Sequence, residues 1–388
     1  MVKIDFSNRL KNLPPYLFAE IDRLKGELKR KGVEFIDLSI GDPDILAPKK
    51  VIDILYSSAK KKENQKYSLD QGKLTFRLAV KDWFKHRFKV NLDESKEILP
   101  LIGSKEGLVH LPLSLVNRGD YVIVPSPGYP GYRGGAILSE ANIYELPLWE
   151  ENSFLPDLGK IPKSIRNKAK LIYLNYPNNP TTALANKDFL ERVIKFCSHY
   201  GIILAYDNAY CEIYFEDKPL SILEIEGAKD IAIEFHSLSK TFCMTGFRIG
   251  WACGNSNLIA GLLKVKTNID SGIFCAIQDC AAYALEKERD YIDNLRKIIK
   301  ERRDIFVNGL KRGGAENIYA LSTFYVWVRI PKDFSSSMEF VKYLIKRGVI
   351  ATAGVGFGNY GEGFVRFALT VNKDKLKKAL TIMGTNRN

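Results

Sequence analysis

Seven short apolar runs set the strongest constraint on what this chain can fold into. They are EILPLI (97–102), DYVIVP (120–125), NIYELP (142–147), AKLIYLN (169–175), GIILAYD (201–207), DIAIEF (230–235) and RIGWAC (248–253), each bounded by Gly, Pro, Asn or Asp. Runs of this length and punctuation read as buried strands. Helical patterns fall between several of them, over 104–116, 130–139 and 186–200. Strand and helix in alternation predict an α/β fold with a mainly parallel sheet covered on both faces. From about 255 to 313 the pattern is long helices, the last one highly charged. TFYVWVRI, a helix near 336–347, VIATA, GFVRFALT and a final helix then predict a smaller α/β domain with an antiparallel component. The expected division is 1–46 as an N-terminal arm and part of the small domain, 47–285 as the large domain, and 286–388 as the small C-terminal domain. Ligands of an open parallel sheet sit at the carboxyl ends of its strands, so chemistry is to be sought there.

A chain of 388 residues exceeds one ordinary core and suits two. With 46% hydrophobic and 27% charged residues it is a folding composition, not a disordered one. Lys and Arg outnumber Asp and Glu by 58 to 45, a net charge of +13. That excess raises a nucleic-acid-binding protein as one reading. The charges are spread along the chain, with short runs such as Lys60-Lys61-Lys62, and no helix-turn-helix spacing accompanies them. A solvated Lys-rich surface is therefore expected, with no nucleic-acid partner. Cys197, Cys211, Cys243, Cys253, Cys275 and Cys280 form no C-x-x-C pair, and the four histidines are scattered. No metal site or redox dithiol is expected, and buried reduced thiols fit a cytoplasmic location. MVKIDFSNRL has charges where a signal peptide needs an apolar core, and no apolar run approaches the ~20 residues that span a bilayer. No membrane association is expected.

The densest chemistry lies in HSLSKTFCMTGFRIG (236–250). Lys240 follows a strand, and Ser237, Ser239, Thr241 and Arg248 surround it with donors suited to a phosphate. An amine beside an anion site is what pyridoxal phosphate chemistry needs, because the amine forms a Schiff base with the aldehyde. That chemistry also needs a carboxylate for the pyridinium nitrogen. Asp207, ending GIILAYD, is the candidate, and Tyr210 is placed to reach the ring hydroxyl. Asn179, in the NYPNNPTTA turn (175–183), is a second donor to that oxygen and to a substrate carboxylate. In LIGSKEGL (101–108), Gly103, Ser104 and Lys105 open a helix whose amides suit a phosphate. Arg366, in GEGFVRFALT, offers a fork for a substrate α-carboxylate.

Together these motifs resemble the fold-type I, pyridoxal-phosphate-dependent aminotransferases of class I/II, from IGDPD (40–44) to VRFALT (365–370). The resemblance implies a three-layer fold: a large cofactor-binding domain with a mainly parallel seven-stranded sheet, and a smaller α/β domain built from both termini. It implies amino-acid and 2-oxo-acid substrates and a homodimer with shared active sites. By the same resemblance Lys240 is the Schiff-base lysine and general base, Asp207 the partner of the ring nitrogen, and Tyr210 and Asn179 the partners of the ring hydroxyl. Tyr129 stacks on the ring. Gly103, Ser104, Lys105, Ser237, Ser239 and Arg248 form the phosphate cup, which Tyr67 reaches from the neighbouring subunit. Gly41 and Arg366 hold the substrate carboxylate. Thr182 replaces the Gly of the common N-P-T-G turn, Ala353 stands where Pro is usual, and Cys243 where Asn is frequent.

Within the class, PPYLFAEIDRL, LSIGDPD, IGSKEGL, EFHSLSKTFCMTGFRIG, VKTNIDSG and GVGFGNYGEGFVRFALT are most similar to the LL-diaminopimelate aminotransferase group. Its reaction exchanges an amino group between LL-diaminopimelate and 2-oxoglutarate in lysine and cell-wall biosynthesis. On that resemblance Asp70 faces the distal ammonium from the other subunit, Lys105 pairs with a distal carboxylate, Asn268 bonds to either group, and Tyr16 covers the substrate. An aspartate- or alanine-type aminotransferase shares everything but the Asp70 argument. A carbon–sulfur lyase of the same fold is a further alternative.

Overall fold

The computed structural model describes residues 2, 4–14, 23, 25–28, 30, 32, 34–68 and 71–384. After the short strand β1 (Ile36–Asp37), the seven expected strands follow in chain order. They are β2 (Ile98–Leu101), β3 (Tyr121–Ser126), β4 (Asn142–Pro147), β5 (Ala169–Asn175), β6 (Ile203–Asp207), β7 (Ala232–Ser237) and β8 (Gly250–Gly254). They form one sheet in the order β2-β8-β7-β6-β5-β3-β4. The neighbours from β4 to β7 are parallel, and β8 runs antiparallel to both β7 and β2.

The helices that cover this sheet are α1 (Lys49–Ala59), α2 (Leu74–Phe88), α3 (Ser104–Leu115), α4 (Pro130–Leu138), α5 (Lys187–Tyr200), α6 (Ser256–Lys266) and α7 (Cys275–Lys287). Successive strand residues point to opposite faces, and the two layers divide accordingly. Leu171, Ala205 and Ile233 pack with Leu108, Leu111, Tyr132 and Leu262 of α3, α4 and α6. Ile172 and Leu204 pack with Val80, Trp83, Val193 and Ala284 of α2, α5 and α7.

Three strands begin two residues later than their apolar runs. Gly201 caps α5 in the left-handed region (φ 65°), so β6 starts at Ile203. Asp230 and Ile231 close a helical turn, Ala228–Ile231, before β7. Arg248 is left-handed (φ 55°), so β8 starts at Gly250.

Next comes α8 (Arg289–Arg312), followed by β9 (Ile318–Tyr319), β10 (Tyr325–Arg329), α9 (Ser337–Lys346), β11 (Val349–Ile350), β12 (Thr352–Ala353), β13 (Phe364–Ala368) and α10 (Lys373–Ile382). An antiparallel sheet runs β12-β13-β10-β9, and β1 pairs in parallel with β11. Ile36 and Leu38 pack there with Val349, Ile350, Leu376 and Leu380, so both ends of the chain build this second core. Helix α8 is unbroken for 24 residues. Its Ile292 lies in the large core and its Phe306 and Leu310 in the small one. Between them, Leu295 and Ile299 pack with Tyr210, Phe324 and Tyr325. All six cysteines are buried and free. Among the described residues, no helix is long and apolar enough to cross a membrane.

Candidate active site

The carboxyl ends of β5, β6 and β7 face β13 of the small sheet across a cavity of about 350 Å³. Its lining includes Gly41, Ser104, Tyr129, Asn179, Asp207, Tyr210, Ser237, Lys240 and Arg366. Lys240 sits in the one-turn helix Leu238–Thr241 that β7 runs into, and Ser237 caps that turn by accepting from Ser239 N. The Lys240 amine donates to Gly41 O at 2.8 Å and lies 5.4 Å from the centre of the Phe324 ring. Burial holds its pKa below the ordinary lysine value, with nearby Arg366 acting in the same direction.

Asp207 ends β6. Its Oδ2 accepts from Tyr132 OH at 2.6 Å and its Oδ1 from Ala209 N at 3.2 Å. Burial pushes its carboxyl pKa up, and the Tyr132 hydrogen bond opposes that shift. Asn175, ending β5, is in register with Asp207; its Nδ2 donates to Asp207 O at 2.8 Å and its Oδ1 accepts from Asn179 N at 2.8 Å. One side chain thus fixes the Asn179 turn against the Asp207 strand.

Arg366 projects from β13, in register with Trp327 of β10 and Thr352 of β12. It is 2% exposed. Its Nη1 donates to Asn179 Oδ1 and its Nη2 to Ser39 O, both at 2.7 Å. The guanidinium lies 4.0 Å from the centre of the Tyr325 ring and 4.7 Å from that of Phe357. Its buried Nε has no hydrogen-bond partner among the described residues.

The anion cradle is as tight as sequence reasoning requires. Gly103 caps α3 with φ +73°, and a Cβ there would run into the Arg248 guanidinium. A Cβ on Gly250 would collide with His236 O and stand 3.0 Å from Ser104 N. Backbone amides, hydroxyls and a guanidinium converge where side chains are excluded, a shape that fits a phosphate. An amine, a buried carboxylate and this cradle around one cavity fit pyridoxal phosphate.

Not every expected residue lines the cavity. Lys105 is exposed on the first turn of α3, outside the lining. Tyr67 is 90% exposed. Asn268 is exposed and donates to Lys264 O at 2.7 Å. Arg248 is exposed at the rim, its Nη1 donating to Thr245 O at 2.9 Å, and Ser239 is buried beneath. Tyr16 and Asp70 lie outside the described residues. Three contributors escape sequence reasoning: Tyr132, Asn175 and Tyr325. Tyr325 OH is 3.0 Å from Tyr210 OH, and a Cβ on Gly41 would overlap it. The backbone at 182 and 243 gives the reason for the residues usual there. Both Thr182 (φ 65°) and Cys243 (φ 53°) hold the left-handed backbone that Gly and Asn adopt most easily. Thr182 recovers part of the cost, because its Oγ1 accepts from Leu321 N at 3.1 Å.

The sequence profile of the family described as "Aminotransferase class I and II" matches residues 33–383. The chain belongs to the class I and II aminotransferases. The LL-diaminopimelate aminotransferase of Aquifex aeolicus is 50% identical over 97% of both chains. The enzyme of the same name from Maridesulfovibrio salexigens is 47% identical over 98% of this chain and 99% of its own. Among solved structures, apo BacF of Bacillus subtilis superposes with a TM-score of 0.95 at 34% identity, covering 98% of each chain. This aminotransferase accordingly uses pyridoxal phosphate, and its seven-stranded sheet is that of the fold-type I enzymes.

Proposed function

We propose that this aminotransferase moves the amino group of LL-diaminopimelate to 2-oxoglutarate, forming tetrahydrodipicolinate and glutamate for lysine and cell-wall biosynthesis. One observation carries the reaction: a lysine amine with a lowered pKa and a buried guanidinium share a single cavity. The donor is supported by the relatives named for that substrate, at 44–50% identity over nearly the whole chain.

Pyridoxal phosphate, when bound, supplies an aldehyde for the amine and a ring that accepts electrons. The residues supply everything else. Gly103, Ser104, Lys105, Ser237, Ser239 and Arg248 hold the phosphate, Asp207 the ring nitrogen, Tyr210 and Asn179 the ring hydroxyl, and Tyr129 the ring face. Arg366 takes the substrate α-carboxylate with its planar fork and, with Gly41, fixes the orientation of the Cα–H bond. Lys240, desolvated and so more readily neutral, takes that proton and delivers it on the other side of the transfer. LL-diaminopimelate carries a distal ammonium and carboxylate, while 2-oxoglutarate carries a distal carboxylate alone. Asp70 is assigned to the ammonium, Lys105 to the carboxylate, Asn268 to either group, and Tyr16 to covering the substrate. Tyr67 and Asn268 face solvent in a single chain. That exposure supports a homodimer in which each subunit completes its partner's site, and the reduced cysteines expected from the sequence suit a cytoplasmic enzyme.

The test is a set of half-reactions. Holoenzyme is mixed separately with LL-diaminopimelate, glutamate, aspartate, alanine and an aromatic amino acid, and loss of the visible cofactor band is followed. Rapid bleaching by LL-diaminopimelate and glutamate, with aspartate slow, is expected. Equal bleaching by aspartate overturns the donor assignment. Pyruvate released with no oxo-acid acceptor present would instead mark a lyase.

A further inference from the structure

Away from the active-site cavity, a second cavity of about 240 Å³ opens where the end of α2, the 211–219 loop and the start of α8 meet. Its charges do not balance. Arg87, Lys218, Arg289 and Arg296 line it against only two carboxylates, Glu212 and Asp293. The two less exposed cations are engaged. Arg87 Nε donates to Glu212 Oε1 at 2.7 Å, and Arg296 bonds to Glu212 Oε2 at 3.4 Å and to Asp293. Both guanidinium groups also lie over the Tyr214 ring, at 5.9 and 4.5 Å. Lys218 and Arg289 have no ion-pair partner among the described residues. Glu216 and Asp217, beside Lys218 in the chain, are exposed and outside the lining. The Lys218 ammonium is held below the ordinary lysine range by burial and then by Arg87, with Arg296 acting the same way and Glu212 and Glu224 opposing.

We propose that this cavity binds a small phosphate-bearing dianion, either inorganic phosphate or a phosphate monoester. Two unpaired cations match a double negative charge, and guanidinium and ammonium groups together suit phosphate oxygens. The cavity lies at a junction. Arg87 Nη2 donates to Cys211 O and Pro219 O, at 3.1 and 3.2 Å, clasping both ends of the loop that follows Asp207 and Tyr210. Within that loop, Ile213 O accepts from Thr323 N at 2.7 Å, two residues before Tyr325. An anion held by Lys218 and Arg289 would tie this loop to α8, the helix that enters both cores.

The experiment uses holoenzyme, so that the cofactor occupies its own phosphate cradle. Inorganic phosphate and, separately, glycerol 3-phosphate are titrated calorimetrically at an ionic strength held constant with sodium chloride. Saturable binding of either probe is expected at one site per chain, and which probe binds more tightly tells the free ion from the ester. The Lys218→Gln/Arg289→Gln variant alters two exposed residues. It is expected to weaken binding at least tenfold while the visible cofactor spectrum and turnover stay unchanged. Absence of saturable binding to the native holoenzyme overturns the proposal. So does an unchanged affinity in the variant, which would place the anion elsewhere.

Discussion

Burial holds the Lys240 pKa below its ordinary value near 10.5, so the folded chain binds that proton less readily than the unfolded one. Below the lowered value both states are charged and folding bears the whole desolvation penalty. The penalty fades as pH rises through that value and is gone above 10.5. Apoenzyme carrying Lys240→Met is therefore expected to melt above native apoenzyme at pH 7, with the gap closing toward pH 10. A gap independent of pH, seen by calorimetry, would trace it to packing instead. Tyr325 sits one hydrogen bond behind Tyr210. If Tyr210 donates to the cofactor's ring oxygen, Tyr325 is left to donate to Tyr210, which strengthens Tyr210 as a donor. Tyr325→Phe should raise the pKa read from the visible band of the holoenzyme by roughly half to one unit, the worth of about 1 kcal/mol. No movement of that pKa would refute the relay. Lys240, Asp207 and Arg366 are legible in sequence because a charged residue just past, at the end of, or inside an apolar run has few structural uses. Tyr132 and Tyr325 are not, because an aromatic in such a run reads as core and spacing does not reveal where its hydroxyl points.

Among the elements, the sheet is legible for a physical reason. Strands covered on both faces are apolar throughout, and the interruptions between them are turn residues. What the apolar runs miss is where a strand starts, because that is decided by left-handed residues such as Gly201 and Arg248. The tightest joint is where β7, β8 and the start of α3 meet. There Gly250 lies against His236 O and Ser104 N. Gly250→Ala forces a methyl group into backbone that cannot yield cheaply, and a loss of about 1–3 kcal/mol is expected by chemical denaturation. Because Ser104 begins the cradle, cofactor affinity should fall with it; a variant as stable as the native chain would show that the joint is slack. The Asn175–Asp207 pairing had a usable signal. Both residues end apolar runs of adjacent parallel strands, and such ends meet at one edge of a sheet.

At the scale of the whole molecule, the proposed sharing of sites is open to complementation. Lys240→Ala chains and Tyr67→Ala chains are each expected to be impaired. Co-refolded, they form hybrids in which one site has both native residues, so mixed samples should recover turnover above that of either parent. No recovery, with hybrids demonstrated by mass, would mean that each chain works alone. The arm's place in the small core is only partly legible, since a two-residue strand such as β1 is too brief to leave a period. That strand has a consequence for how the molecule comes into being. Ile36 pairs with Val349, so an early strand waits for a late partner. At ~5–20 residues per second, synthesis of the intervening stretch takes on the order of 15–60 s. All seven strands of the large sheet leave the ribosome within that interval, so the cofactor-binding unit can be assembled while the strand near the amino end is still unpartnered. The small core closes last, as a clasp fastened after the rest of the chain has been made.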